Sequence, residues 1–365
     1  MNNISILKII KQFIKKIIYK LYPNFNHNKD TKFLQIIRNN LILNHSIPLY
    51  DDKYGLASTE KYYLRWRFED FSLSKISIEK LQKLYNGLDE KSILTINTIL
   101  SRLDKVCNII HKSSMIKNKL ELDLFTLEEK EHLIFLKEFF FANIIKLSDT
   151  AYCYQNYLLP VKGFTVAVFF NKHEMNEIND QSKLLNKDII DVGGWIGDSA
   201  LILSKYTNSN VYSFEAVSQN FKNLEMTVKM NSLKNVIPIH SALGSHEGTI
   251  FIEDSNSGSF TNSIETQKSE IVKLNTLDNF VKMNDLNVGL IKVDIEGGEQ
   301  DFLKGAIQTI NNFRPVLLLS IYHTIDDFFD IKPFIESMNL GYSFKIIKPI
   351  DGNIMGETVL IGEIE

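Results

Sequence analysis

Asp188-Ile189-Ile190-Asp191-Val192-Gly193-Gly194-Trp195-Ile196-Gly197-Asp198-Ser199 decides the fold of this chain. Ile189 to Val192 reads as a short buried strand, the residues after it as a glycine-rich turn, and Asp198-Ser199 as a helix start. A strand that feeds a glycine turn and then a helix is how an open α/β sheet builds a nucleotide site. Glycine lets the backbone approach a ligand closely, because a Cβ there would collide with it. The turn is not the dinucleotide fingerprint, which needs glycines at i, i+2 and i+5. Gly194 and Gly197 fill the last two places, but the first falls on Val192.

Downstream of this turn, strands and helices alternate. Val211 to Phe214, Val236 to Ile239, Leu290 to Val293 and Val316 to Ile321 read as strands. Gln219 to Met230 and Gln300 to Ile310 read as helices between them. Such alternation predicts a mostly parallel sheet with helices on both faces. Tyr342 to Ile347 and Thr358 to Ile361 look like a closing hairpin, and Phe164 to Phe170 is a β-rich run. Upstream, residues 58–150 read as helices: Glu60 to Phe71, Ile78 to Tyr85 ending near Gly87, and an apolar face of Ile93, Ile96, Leu100, Leu103 and Cys107. Thr126-Leu127-Glu128-Glu129 is a capping box before a further apolar helix. The reading is thus a helical N-terminal region, 1–155, and an α/β domain, 156–365.

Composition excludes several classes. The 365 residues are 44% hydrophobic and 23% charged, ordinary for a globular protein. A net charge of -3 argues against a general nucleic-acid binder. Cys107 and Cys153 are the only cysteines, so neither a disulfide scaffold nor a cysteine zinc site is expected, and a reducing, cytoplasmic compartment fits. No apolar run is long enough to span a bilayer, and lysines interrupt the N-terminus where a signal peptide needs its apolar stretch. Residues 4–21 carry Ile6, Ile10, Phe13, Ile14, Ile17 and Leu21 at helical spacing among lysines, with no acid before Asp30. That pattern fits a helix lying on the anionic inner face of a membrane, and equally one docked on the rest of the protein.

Three further features carry chemistry. Glu215 ends the second strand, where a carboxylate accepts hydrogen bonds from ribose hydroxyls. Ser241 and Ala242 follow the third strand, where a polar and a small residue border an adenine ring. Asp294 and Glu296, in Lys292-Val293-Asp294-Ile295-Glu296-Gly297-Gly298-Glu299, are two apart and would share one side of a continuing strand. Glu299 and Asp301 open the next helix and favour its positive end. His323, after the strand from Val316, would share the same edge, where a neutral histidine takes a proton from a hydroxyl. Asp326, Asp327 and Asp330 read as a solvated helix face. No motif marks a metal site.

The order acid, apolar residue, Gly193, three residues, Gly197 resembles the first motif of S-adenosylmethionine (SAM)-dependent methyltransferases. Together with Val211 to Ala216, Ser241-Ala242-Leu243-Gly244 and Lys292 to Glu299, it resembles successive motifs of FkbM-family methyltransferases, over roughly the C-terminal half. The resemblance implies a Rossmann-like class I methyltransferase domain, SAM as donor, and a hydroxyl acceptor on a sugar, glycan or sugar-containing product. It implies a donor site of Asp191, Gly193, Gly194, Gly197, Asp198, Ser199, Glu215, Ser241 and Ala242. Asp294 or His323 is then the candidate base, with Glu296 positioning the acceptor. The chain departs from the family at Gly194, Trp195 and Ala216, where Ala, Asn and Pro are usual. Two rival readings are a non-catalytic SAM-binding module and a nicotinamide-dependent oxidoreductase, against which Val192 counts. Neither the acceptor nor the oligomeric state is legible.

Overall fold

The computed structural model describes residues 76–112, 125–255, 258–262 and 269–364. The basic pattern at 4–21 and the helix expected from Glu60 to Phe71 lie outside the described residues. Helices come first: α1 (Ile78–Tyr85), α2 (Glu90–Lys112) and α3 (Leu127–Phe139). The capping box forms as expected. Thr126 Oγ1 accepts from the Glu129 amide at 3.2 Å, and Glu129 Oε2 accepts from the Thr126 amide at 2.7 Å.

The helical reading overreaches at its end. Ile145–Ser148 is a strand, β1, which forms an antiparallel meander with β2 (Ala151–Tyr154) and β3 (Tyr157–Leu159). The run from Phe164 to Phe170, read as β-rich, is instead a single π-helical turn over Val166–Phe170. Thr165 caps it by accepting from the Val168 amide at 3.3 Å, and the Asn171 amide donates to the Val166 carbonyl at 2.9 Å. Val166, Ala167, Val168 and Phe169 are all buried, so no alternation of polar and apolar residues distinguishes strand from helix here.

The α/β part follows the expected rhythm: β4 (Asp188–Val192), α4 (Asp198–Leu203), β5 (Val211–Glu215), α5 (Ser218–Met230) and β6 (Val236–His240). A second sheet then intervenes, unforeseen in the sequence, built from β7 (Ala242–Leu243), β8 (Gly248–Ser255), β9 (Gly258–Asn262) and β10 (Ser269–Asn275). The alternation resumes with α6 (Leu277–Met283), β11 (Val288–Val293), α7 (Glu299–Lys304), α8 (Ile307–Phe313), β12 (Val316–Ser320) and α9 (Ile325–Ser337). β13 (Ser343–Ile347) and β14 (Val359–Glu363) close the chain as the expected antiparallel hairpin. The single helix expected from Gln300 to Ile310 is two. It breaks at Gly305, which presses on a neighbour so closely that a Cβ would lie 1.9 Å from the Gly244 carbonyl oxygen.

The central sheet has the order β13-β14-β12-β11-β4-β5-β6. β12, β11, β4, β5 and β6 run parallel, and β14 is antiparallel to both its neighbours. Every residue of β4, β11 and β12 is buried, as central parallel strands with both faces covered require. This is a Rossmann-like, doubly wound α/β architecture, of the class expected from the sequence. From β4 the chain winds outward through β5 and β6, then crosses back to β11 on the other side. The order therefore reverses between β4 and β11, and the ligand crevice of such a sheet opens beyond the carboxyl ends of those strands.

The helices are part of the same body. Leu84 of α1 and Ile96, Ile99 and Leu103 of α2 share one core with Ile190, Ile291 and Leu317 of the sheet. Asp326 and Asp330 of α9 are not merely solvated: both ion-pair with Lys80 of α1, at 3.1 and 3.0 Å. Asp327 between them is buried and accepts from Gln300 Nε2 at 3.1 Å. Among the described residues, no helix is long and apolar enough to cross a membrane.

Candidate functional site

At the end of β4 the chain turns through Gly193 and Gly197, with φ of +82° and +86°, values that favour glycine. The neighbours that require glycine are protein atoms. A Cβ on Gly193 would lie 1.9 Å from the Asp294 carbonyl oxygen. On Gly194 it would lie 2.2 Å from Ser213 Oγ, and on Gly197 2.9 Å from Leu224. The glycines thus let the turn seat on β5, α5 and the end of β11, a reason different from the ligand approach expected of them. Trp195, with φ +42°, projects from the turn and is 40% exposed.

Glu215 clamps this turn from β5. Its Oε2 accepts from the Trp195 amide and its Oε1 from the Val217 amide, each at 2.8 Å. Burial pushes its carboxyl up to about 7, although both amides and Asn220 favour the charged form. Each carboxylate oxygen accepts from one backbone amide, and Asn220 adds a side-chain hydrogen bond to the group.

Asp191 lies beneath the turn, fully buried. Its Oδ2 accepts from Ser199 Oγ at 2.8 Å and Ser213 Oγ at 2.7 Å, and its Oδ1 pairs with Lys292 Nζ at 3.0 Å. Lys292 Nζ also donates to the Gly193 carbonyl at 2.7 Å. Burial alone would lower the lysine's pKa, but Asp191, Asp294 and Asp198 outweigh it and hold the ammonium above its ordinary value. Asp198, at the start of α4, is buried and pushed up to about 7 by desolvation. Asp191 and Ser199, both expected to border the donor, are therefore engaged inside the fold and shape the turn from below. Ser241 is engaged as well: its hydroxyl donates to the Lys273 carbonyl at 2.9 Å. Ala242 beside it is half-buried.

Asp294, Glu296 and His323 converge, though not by strand alternation. β11 stops at Val293, and Glu296 and Gly297 take φ of +59° and +105°. His323 Nε2 lies 3.3 Å from Asp294 Oδ1 and 3.8 Å from Glu296 Oε2. Tyr322 also donates to Asp294 Oδ1, at 3.3 Å. On the other side of the ring, His323 Nδ1 meets Glu299 Oε1 at 2.8 Å. Glu299 is buried and reaches back to accept from the Ile295 and Gly297 amides, both at 2.9 Å. Its part is larger than the helix-end role expected of it. Burial would lower the pKa of His323, but Glu299, Asp294 and Glu296 overcome that and push it up to about 9. The neutral histidine expected here is therefore an imidazolium at neutral pH. Asp294, Glu299 and His323 offer ligand atoms within 4.8 Å of one another, the one such group among the described residues. In this structure the imidazolium supplies the positive charge between the acids.

Several residues at this edge were passed over in the sequence. Lys292 left a signal, a lone charge inside the apolar run Leu290 to Val293. Glu357, in left-handed backbone at φ +62° between β13 and β14, left none. Burial, reinforced by Asp294 and Asp351, raises its pKa. His173 also left none; it feels Lys292, Asp191 and Asp294, and burial lowers it to about 4.

Parts of the chain are similar to known proteins. Residues 191–344 match the methyltransferase FkbM domain. Hexuronic acid methyltransferase AglP of Haloferax volcanii is 33% identical over 126 residues, 33% of this chain and 52% of that protein. The match thus spans about half the length of that relative. The structure of methyltransferase FkbM from Methylobacillus flagellatus superposes with a TM-score of 0.49 at 16% identity, covering 78% of this chain and 58% of the other. Precorrin-6y C5,15-methyltransferase of Geobacter metallireducens gives a TM-score of 0.33 at 14% identity, covering 51% and 85%. Residues 191–344, somewhat under half of the chain, are thus similar to the methyltransferase FkbM domain.

Proposed function

We propose that the protein is a SAM-dependent methyltransferase that O-methylates a sugar or sugar-containing acceptor, a hexuronic acid or its conjugate first among them. The observation that carries this reading is the pairing of two edges across the β4–β11 reversal. One is a preformed turn clamped by Glu215, and the other is the charged group of Asp294, Glu296 and His323. The hexuronic acid preference rests on the similarity to AglP. We divide the chain as 156–365 for the methyltransferase domain and 1–155 for the helical N-terminal region.

The donor side comprises Gly193, Gly194, Gly197, Glu215 and Ala242, with Asp191, Asp198, Ser199 and Ser241 supporting from below. Glu215 receives the ribose hydroxyls on the acceptor capacity that its two amide partners leave. SAM supplies an electrophilic methyl on a good leaving group, so the protein's work is alignment and removal of one proton. Asp294 accepts the hydrogen bond of the acceptor hydroxyl. Glu296 and the imidazolium of His323 fix its direction, and Glu299 fixes the ring. A carboxylate on the acceptor also complements the positive charge of His323.

The test is methyl transfer from methyl-labelled SAM into UDP-glucuronate, UDP-galacturonate and their neutral hexose counterparts, with the product located by mass spectrometry. Methyl ether on a uronate supports the reading. SAM binding with no transfer to any of these supports the non-catalytic module, and binding of NAD in place of SAM supports the oxidoreductase.

A further inference from the structure

We propose that the edge beyond β11 and β12 binds a divalent cation, with His323 Nε2, Asp294 Oδ1 and Glu296 Oε2 as its protein ligands. The site goes beyond the function proposed above and stands without it; only its use for an acceptor rests on that reading.

The first observation is a buried imidazole nitrogen that makes no hydrogen bond. His323 Nε2 is shielded from solvent, on a side chain only 6% exposed, and has no hydrogen-bond partner among the described residues. Buried polar atoms are ordinarily paired. Two carboxylate oxygens stand in front of it, Asp294 Oδ1 at 3.3 Å and Glu296 Oε2 at 3.8 Å. Neither contact has the geometry of a hydrogen bond, so a proton on Nε2 satisfies neither carboxylate. A cation needs no such direction. Placed about 2.1 Å from Nε2 and from Asp294 Oδ1, it would meet them at roughly 100°, near the right angle of octahedral coordination. Glu296, whose side chain is partly exposed, reaches a third position by a change of rotamer.

The second observation lies behind the ring. His323 Nδ1 bonds to Glu299 Oε1 at 2.8 Å, and Glu299 is itself fixed by the Ile295 and Gly297 amides, both at 2.9 Å. A carboxylate on Nδ1 aims the Nε2 lone pair forward, which is how metal-bound histidines are oriented. Glu299 comes within reach of the same point as Asp294 and His323. Its oxygens are spent on the two amides and on Nδ1, so it positions the ring and is not a ligand.

The third observation is the balance of charge. Asp294, Glu296 and Glu299 all face one imidazole. A proton on Nε2 gives the three carboxylates one positive charge to share, and a divalent cation on the neutral ring gives them two. The cation thus displaces the proton that the ring carries in its absence. One imidazole among carboxylates suits Mn²⁺ or Zn²⁺ better than Ca²⁺, whose ligands are oxygens. Asp294 and Glu296 are partly exposed, so the remaining coordination positions open on the crevice. On the reading above, the acceptor's hydroxyl and uronate oxygens fill them, and the cation supplies the positive charge otherwise drawn from His323. Among the described residues, the contacts of the Asp294 carboxylate fall on Oδ1, which leaves Oδ2 to accept from the acceptor hydroxyl.

The experiment takes the full-length protein, stripped with EDTA and titrated with MnCl2 alone, without SAM or acceptor, and follows Mn²⁺ by EPR. Saturable binding is expected, with a nitrogen coupling in the pulsed spectrum. His323→Gln, checked as folded by its melting temperature, should lose that coupling and bind at least about 100-fold more weakly. Glu299→Gln should weaken binding about 10–100-fold and keep the coupling, as a positioning residue would. Glu296→Gln, at a partly exposed side chain, should also weaken binding, and it decides the matter if His323→Gln does not fold. A parent protein without saturable Mn²⁺ binding overturns the proposal. So does an affinity unchanged in folded His323→Gln or in Glu296→Gln, because the cation then sits elsewhere. A protein that binds Mn²⁺ through these residues but methylates no acceptor supports the site while the methyltransferase reading fails.

Discussion

The two edges of the crevice are built from the same residue types in opposite ways. Beyond β4 and β5, the acids bond to backbone amides, serine hydroxyls and one buried lysine, and each partner belongs to the fold. Beyond β11 and β12, Asp294, Glu296 and Glu299 surround His323, and Asp294 and Glu296 remain partly exposed. The first arrangement fixes a shape before any ligand arrives. The second fixes a charge distribution and leaves hydrogen-bonding capacity facing the crevice. On the function proposed above, the first edge seats the donor, which suits a rigid shape, and the second serves the acceptor, whose recognition and deprotonation need groups whose charge is poised.

The largest expected effect tests how far the donor edge depends on its buried ion pair. Lys292→Met leaves Asp191 charged and unpaired in the core, which costs about 3–5 kcal/mol of stability. A denaturant midpoint shift of that size is expected. Combining it with Asp191→Asn should recover part of the loss, because the uncompensated charge is gone. A small shift for Lys292→Met alone would show that the turn stands without the pair.

The second effect belongs to the acceptor edge. Folding raises His323 from 6.5 to about 9, so its charged form stabilises the native state. That contribution is fully present below the unfolded value of 6.5 and is lost as pH rises through about 9. Its full size is about 3 kcal/mol for a shift of this order. Unfolding of the parent and of His323→Gln across this window should therefore show the parent's advantage shrinking as pH rises. A constant difference would mean that the acids do not hold the proton.

These two predictions rest on residues of unequal legibility. The succession of strands and helices, the glycine turn, Glu215 and the Asp294–Glu296 motif were readable because short apolar runs and short motifs are local signals. Glu299 was visible but misjudged: a carboxylate at a helix start reads as a dipole partner until the turn at Glu296–Gly297 brings His323 beside it. His173 and Glu357 were not legible at all, since their left-handed backbone belongs to the segment after the π-turn and to the β13–β14 connection, which carry no sequence motif. The second sheet, β7 to β10, was missed because it interrupts an otherwise regular alternation. The glycines were found for a different reason from the one the structure gives. A Gly197→Val variant therefore tests packing against Leu224 and Thr227 before it tests the donor.

The third effect separates alignment from binding. Asp294→Asn keeps size and polarity but disturbs the hydroxyl's direction and the pairing with His323. Misplacement of that kind is worth about 10²-fold in turnover. SAM affinity should change little, because the donor edge does not include this side chain. If SAM affinity and turnover fall together, the two edges are one site and the division between them is wrong.

The smallest effect probes the donor edge directly. Glu215→Ala removes a carboxylate whose bonds to donors are worth roughly 1.5–3 kcal/mol each, so SAM should bind at least about tenfold more weakly. The same substitution frees the Trp195 and Val217 amides, so weaker binding alone does not separate a lost ribose contact from a loosened turn. The 2′-deoxy analogue of SAM does. It should bind the parent less well than SAM, and it should match SAM on the Glu215→Ala background. If removing the hydroxyl weakens both backgrounds equally, Glu215 acts by holding the turn closed, and the seat is shaped by the backbone rather than by the carboxylate.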